Sequence, residues 1–340
     1  MKKLFYPLSI LLLAAVACNK TQTILTENPK EINFKTMATK AAVADIVSGT
    51  SLPDNNWKIF VTASSKNPDA SVDNATYFIN KEFSTTADPV VGHDETTVPV
   101  TVGSIYKATG TPLYYPLGNK TVDFIAYAAK TVDKPVAPSW GTSPASASDL
   151  MQFTAWDTYN VQQDLLYANL NGATPQSDPR NLEFHHAQAQ IVIEAAKGAA
   201  DAGDIYIEKI ELLDLQTTGN FVVDNSRQTL QVSWDLSGDA GADKQIPNLF
   251  VTSATNKPVT STTLAQMGDA LLVPQQPARN IKLTYKIGTD PTTYTYTYNN
   301  TRTAWLMNYK YIYQFNLTAY EITFTESVVD WTSETIVPAL

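Results

Sequence analysis

The sequence predicts an all-β protein of two tandem antiparallel β-sandwich domains. Three observations predict it. Short segments in which apolar and polar residues alternate recur along the chain, at the two-residue period of a half-buried strand. Gly, Pro, Asn and Asp separate these segments. Long helical periodicity is missing, and 340 residues suffice for two domains of ordinary size.

The chain opens with Lys2 and Lys3, then a mostly apolar run from Leu4 to Ala15 interrupted by Pro7 and Ser9. Small residues lead to Cys18, the only cysteine. The run is too short to span a bilayer, and small residues before a unique cysteine suit lipoprotein processing. In that chemistry the thiol receives a diacylglyceryl group, cleavage frees the cysteine amine, and the amine is usually acylated too. Residues 1–17 are therefore expected to be the leader and Cys18 the lipidation site of a bacterial cell-envelope lipoprotein. Residues 18–40 are expected to be a polar tether followed by a short extended segment at Ile32-Asn33-Phe34.

Strands are expected at Trp57–Ala63, Ala75–Phe83, Thr97–Val102 and Val122–Ala128, with a turn or strand start over Tyr114–Asn119. Residues 131–149, with Pro135, Pro138 and Pro144, read as a long loop, and residues 159–168 as a helical turn or two. Leu182–Ala195 reads as one strand and Ile205–Leu215 as the next. Short strands follow at Phe221–Val223, Thr229–Trp234 and Leu271–Val273, then Ile281–Ile287, Thr293–Tyr298, Tyr309–Phe315 and Glu321–Phe324. The expected partition is 41–199 for the first sandwich and 200–340 for the second, divided near Ala200.

Composition excludes several functions. The chain has 24 basic and 33 acidic residues, a net charge of −9, which becomes −11 once Lys2 and Lys3 leave with the leader. Such acidity argues against nucleic acid or anionic lipid as a charge-recognised partner. With Cys18 consumed, no disulfide can form within the mature chain.

No nucleophile elbow, phosphate-binding glycine loop or zinc-helix motif is present, so no enzyme activity, metal or cofactor is expected. The histidines are His93, His185 and His186. Adjacent strand residues point to opposite faces, so His185 and His186 cannot converge on one ion, and a structural role is expected. Asp235, Asp239 and Asp243 lack calcium-loop spacing and read as a solvated loop. Tyr294, Tyr296 and Tyr298 share one face of a strand, as do Tyr309, Tyr311 and Tyr313. Paired across a hairpin they would form an aromatic ladder, read as cross-strand packing in preference to a sugar platform.

Several pieces occur in order along the chain. They are Ala15-Val16-Ala17-Cys18, Ile32-Asn33-Phe34, and Thr39-Lys40-Ala41. Pro116 follows with Val122-Asp123-Phe124-Ile125-Ala126-Tyr127, then Asp164-Leu165-Leu166-Tyr167-Ala168. Leu182-Glu183-Phe184-His185-His186-Ala187 with Ile191-Val192-Ile193, Asn308-Tyr309-Lys310-Tyr311 and Asp330-Trp331 complete the set. In this order the chain resembles the fimbrillin family of Bacteroidales, the lipoprotein-derived subunits of type V pili and their accessory proteins.

The resemblance implies that both sandwiches are transthyretin-like. It also implies an outer-membrane precursor from which a trypsin-like protease removes the N-terminal strand, leaving a groove for a strand of a neighbouring subunit. On this chain the removable strand is Ile32, Asn33 and Phe34, and the cut falls at Lys40 or, second, at Lys35. The donor strand falls within Ile322–Leu340. Family members commonly carry arginine where Lys40 stands, whereas the first arginine here is Arg180. Either Lys40 is cut, or the strand stays and the subunit serves as an anchor or cap. The acidic run often found after the cysteine of surface-exported lipoproteins is replaced by Asn19-Lys20-Thr21-Gln22. The implied partners are other fimbrial subunits, the outer membrane through the lipid, and a host or bacterial surface ligand. The alternative is a non-catalytic surface glycan-binding lipoprotein.

Overall fold

A computed structural model describes residues 29–38, 57–67, 75–85, 105–130, 138–141, 150–160, 162–198, 204–225, 230–246, 248–249, 257–318 and 322–330. The first strands are β1 (Asn33–Ala38), β2 (Trp57–Lys66), β3 (Ala75–Thr85), β4 (Ile105–Ala108), β5 (Thr121–Lys130), β6 (Ser139–Trp140) and β7 (Leu150–Asp157). Next come β8 (Leu166–Ala173), β9 (Arg180–His186), β10 (Ala189–Lys197), β11 (Ile205–Leu215), β12 (Thr218–Asp224), β13 (Gln231–Asp235) and β14 (Ala242–Gln245). The last are β15 (Asn248–Leu249), β16 (Lys257–Val259), β17 (Ala265–Leu272), β18 (Ile281–Ile287), β19 (Tyr294–Tyr298), β20 (Tyr309–Leu317) and β21 (Ile322–Asp330). Among the described residues there is no helix, and so none long and apolar enough to cross a membrane. The chain is all-β.

Seven strands close a barrel in the order β1-β4-β3-β2-β5-β8-β9. Its interior is filled by Ile59, Val61, Phe83, Val122, Phe124, Leu182 and Phe184, among others. A four-stranded sheet, β13-β12-β7-β6, lies over part of the barrel's outer face, where Phe60, Ile125, Tyr127 and Tyr167 meet Met151, Phe153, Phe221 and Val223. This explains the composition of β5. Val122, Phe124 and Ala126 face the barrel interior while Ile125 and Tyr127 face the covering sheet, so both faces are apolar and alternation is lost.

Two further sheets, β15-β17-β10-β20-β21 and β14-β11-β18-β19 with β16 beside β11, enclose the second core of Ile191, Ile193, Ile207, Leu212, Leu283, Trp305 and Phe315. The segments expected at Ile205–Leu215 and Ile281–Ile287 are strands with those bounds, and the one expected from Thr293 begins at Tyr294.

Four local expectations are corrected. Leu182–Ala195 is two strands in two sheets. Leu182, Phe184 and His186 are buried on the even positions of β9, and Ala189, Ile191 and Ile193 on the odd positions of β10. The phase slips at Ala187-Gln188, whose backbone bonds sideways: the Ala187 amide donates to the Leu165 carbonyl at 2.8 Å, and the Asn308 amide to the Gln188 carbonyl at 2.9 Å. Residues 159–168 are no helix. Asp157 accepts the Tyr159 and Asn160 amides at 2.9 and 3.1 Å in a turn, and β8 begins at Leu166. The strand expected to end at Phe324 runs on to Asp330 against β20. Within 131–149, Ser139–Trp140 pairs with β7. The expected strand Thr97–Val102 lies outside the described residues.

The sheet β13-β12-β7-β6 takes strands from both sides of position 200. After β11 the chain crosses back, lays β12 against β7 and β13 against β12, and returns at β14. A cluster of side chains ties the base of this excursion. Gln216 Nε2 donates to the carbonyls of Leu236 and Asp239 at 3.1 and 2.8 Å, and Arg279 donates to Gln216 Oε1 and Gln275 Oε1 at 3.1 and 2.9 Å.

Candidate functional site

The seam of the barrel is where Ile32, Asn33 and Phe34 lie. β1 is its closing stave. On one side it runs antiparallel to β4, with Asn33 opposite Lys107, Phe34 opposite Tyr106 and Lys35 opposite Ile105. On the other it runs parallel to β9, from Phe34 opposite Arg180 to Ala38 opposite Phe184. Just ahead of it the Ile32 amide donates to the Leu113 carbonyl at 2.7 Å, and the Tyr115 amide to the Lys30 carbonyl at 2.9 Å.

Alternation places Ile32 and Phe34 inward, and neither has any exposed surface. The Phe34 ring meets Phe83 at 5.0 Å and Phe124 at 5.1 Å, both edge to face. Burying each such side chain contributes roughly 1.5–3 kcal/mol. Asn33 is half-buried, and its Oδ1 is enclosed without a hydrogen-bond partner. Tyr115 closes the pocket beside Phe124, and burial raises its pKa against the opposing pull of Arg180.

The seam is also mechanically singular. β9 pairs with β8 through two residues only, Leu166 with His186 and Tyr167 with His185. Without β1, the facing edges of β4 and β9 would both be unpaired, and the side chains around Phe34 would border an empty slot. What holds β1 in place is backbone pairing on both edges and apolar burial.

Lys35 sits within the stave, its backbone flanked by Ile105 and Asn181. Cys18, Lys40 and His93 lie outside the described residues. His186 is buried with Nδ1 2.9 Å from the Asp164 carboxylate, and its amide donates to Asn308 Oδ1 at 3.2 Å. His185 faces the other way, with its ring 5.7 Å from Tyr167, and burial lowers its pKa. Among the described residues no group of three His, Cys, Asp or Glu is placed to hold a metal ion.

The aspartates expected to form a solvated loop organise turns. Asp239 accepts the Thr218 and Gly241 amides at 2.9 and 3.0 Å, Asp243 accepts the Asp214 amide at 3.0 Å, and Asp235 the Ser237 amide at 3.0 Å. Burial opposes ionisation of Asp239, but the amides of Gly241, Thr217 and Thr218 outweigh it and hold the carboxyl below its usual value.

The tyrosine ladder is corrected. β19 pairs with β18, whereas β20 lies in the opposite sheet between β10 and β21. The two tyrosine rows meet across the core, Tyr298 with Tyr313 at 6.0 Å and Tyr296 with Phe315 at 6.4 Å. Their hydroxyls are engaged: Trp305 Nε1 donates to Tyr313 at 2.6 Å, the Leu306 amide donates to Tyr311 at 2.7 Å, and Tyr298 donates to Glu326 at 3.2 Å.

A second feature is a cavity of about 610 Å³ between the excursion and the second core, lined by Trp234, Leu236, Gln276, Leu306, Met307 and Tyr309. Its lining comes from four segments separated in sequence.

The fimbrillin-like family model matches residues 54–331, most of the chain. The chain belongs to the fimbrillin-like family. The fold of this fimbrillin-like chain recurs in solved structures. A fimbrial protein from Bacteroides vulgatus is 15% identical with a TM-score of 0.55, the match covering 88% of this chain and 99% of that one. A candidate cell adhesion protein from Bacteroides ovatus is 16% identical with a TM-score of 0.54, covering 91% and 100%. One from Bacteroides uniformis is 15% identical with a TM-score of 0.51, covering 88% and 99%. No curated protein matches the chain by sequence. The family's segment order, not any one motif, was the sequence signal for membership. The cavity and the Gln216–Gln275–Arg279 cluster gave no such signal, because no spacing links their members.

Proposed function

We propose that the chain is a structural subunit, or a tip or anchor accessory, of a type V fimbria that contributes to adhesion and assembles by protease-triggered β-strand exchange. One observation carries this reading: β1 is a discrete stave with paired edges on both sides, anchored by the fully buried Phe34 and by Ile32 just ahead of it. Such a strand can be replaced by another that repeats its alternation. The fimbrillin-like membership and the fimbrial protein among the structural neighbours support it. The precursor is lipidated at Cys18, held at the outer membrane, and ends on the cell surface in the fimbrium.

Cleavage falls at Lys40. A protease binds its substrate as an extended segment, and Lys35 is paired on both sides. A cut at Lys35 would also divide the stave, whereas one after Lys40 removes all of Asn33–Ala38. The donor is the segment after β21, because Ile322–Asp330 is already paired along its length with β20. The first transthyretin-like unit comprises the barrel and its covering sheet, and the second the two sheets around Trp305.

The test is brief trypsin treatment of the purified chain, followed by N-terminal sequencing and sizing. A new terminus at Ala41 with oligomers is expected. A terminus at Cys18 on polymerised protein from cells would overturn strand removal. The glycan-binding alternative has one observation in its favour, the cavity bordered by Trp234 and Tyr309. Retardation in polysaccharide affinity gels, abolished by Trp234→Ala, would establish it.

A further inference from the structure

The described residues expose five large apolar side chains, and four of them gather at one end of the barrel. Tyr77 and Ile79, 38% and 48% exposed, are two apart on β3, outside the area that the four-stranded sheet covers. Tyr114 and Leu117, 43% and 75% exposed, lie in the link from β4 to β5. The Tyr77 hydroxyl donates to the Tyr114 carbonyl at 2.5 Å, which joins the two segments. Leu117 precedes a bend in which Gly118 and Asn119 both have positive φ, +85° and +57°.

This is also the end at which the N-terminal segment enters. Glu31 bridges Tyr114, and the Tyr115 amide binds the Lys30 carbonyl. Eleven residue steps separate Cys18 from Pro29. A flexible chain of that length spans on average about 20 Å, and fully stretched about 40 Å. The link to the second core leaves from the opposite end, after His186 of β9.

We propose that this patch is a bilayer-docking surface, through which the lipidated precursor stands on the membrane with its barrel end down. The proposal rests on acylation of Cys18. The acyl chains supply the affinity, and the short tether gives four side chains a high local concentration of lipid. Tyrosine suits the headgroup level, where the ring is apolar and the hydroxyl wet, and Leu117 reaches further in. Recognition is by apolar insertion, not by charge, which agrees with an acidic chain. β1 leaves the membrane end and climbs six residues to Ala38, about 20 Å at the usual strand rise. The far end of β1 at Ala38 is thereby turned away from the lipid.

Hydroxyl-radical footprinting of the acylated full-length mature chain, in phosphatidylethanolamine–phosphatidylglycerol vesicles and free of them, tests this. Oxidation of Tyr77, Tyr114 and Leu117 is expected to fall at least threefold in vesicles, and that of Leu306, the fifth exposed side chain at 52%, to stay unchanged. The exposed pair Tyr114→Ser/Leu117→Ser should restore Tyr77 oxidation while the chain still floats with the vesicles. Unchanged oxidation of the patch in a floating, acylated chain overturns docking and leaves anchoring intact. Equal protection of Leu306 means general adsorption and also overturns it. So does protection that appears without vesicles on mixing with other subunits, which would make the patch a protein interface. An unmodified Cys18 in the mass spectrum of the cell-derived chain defeats the anchoring reading itself.

Discussion

β1 and β21 are both strands with an aromatic residue packed into a core, and they are held in opposite ways. β1 has a neighbour on each side, and its Phe34 is fully enclosed. β21 is an edge strand with β20 as its partner, and its Phe324 is half-buried, stacked 3.7 Å from the Tyr298 ring. The long strand rests on a large one-sided ladder. The short one rests on side-chain burial and on filling a gap. A strand of the second kind can be exchanged for another at little topological cost, because its neighbours are already in place.

Phe34→Ala should break this comparison most severely. The site is closed on every side and cannot collapse, so the loss should be about 3–5 kcal/mol in denaturant unfolding. Phe324→Ala removes a ring that water already reaches in part, and should cost about 1–2 kcal/mol. Equal losses at the two positions would deny the seam its special status. A synthetic peptide spanning Lys30–Ala38 should recover stability in a chain lacking residues 18–40, and a peptide with Phe34→Asp should not.

How much of this was legible depends on whether the signal is local. The alternation of Ile32-Asn33-Phe34 announced a strand and its inward residues, and the parity of His185 and His186 announced their opposite faces. The break between β9 and β10 was not legible, because both faces of β10 are buried and the continuous apolar run conceals the phase slip at Ala187-Gln188. Partnership was not legible. The rows of tyrosines in β19 and β20 gave their inward faces without revealing that they belong to different sheets. The pairing of β12 with β7 joins residues more than sixty positions apart, such as Phe221 and Phe153, with nothing local to signal it. The place of Ile32-Asn33-Phe34 at a barrel seam was not legible, because it follows from closure of a barrel and not from any residue type.

Alkali should act on both units, since burial also raises the pKa of Tyr115, Tyr127 and Tyr167, and Tyr298 reports the β21 side. Tyr298 has its pKa pushed up to about 12, first by burial and then by Glu326, and burial also raises that of Tyr313. An unfolded tyrosine titrates near 10. A raised folded pKa means that stability is intact below pH ~10 and declines as pH rises through the folded value. Urea midpoints should therefore fall between pH ~10 and ~12, in step with tyrosinate absorbance. Tyr298→Phe should flatten the decline, and an unchanged slope would show that this ring does not couple to folding.

The smallest effect should come from Glu326→Gln. Glu326 pairs with Arg302 and accepts from the Tyr298 hydroxyl at 3.2 Å, in a partly exposed position on β21. Water and salt screen such a pair, so neutralising it should cost about 0.5–1 kcal/mol at low salt and less at 1 M salt. The amide still accepts from Tyr298, so the stacked Phe324 should stay in place. Thermal unfolding of the variant at both salt concentrations checks this. A loss as large as that of Phe324→Ala would mean that the charge network, not the ring stack, holds the edge strand, and would draw β21 closer in character to the enclosed seam.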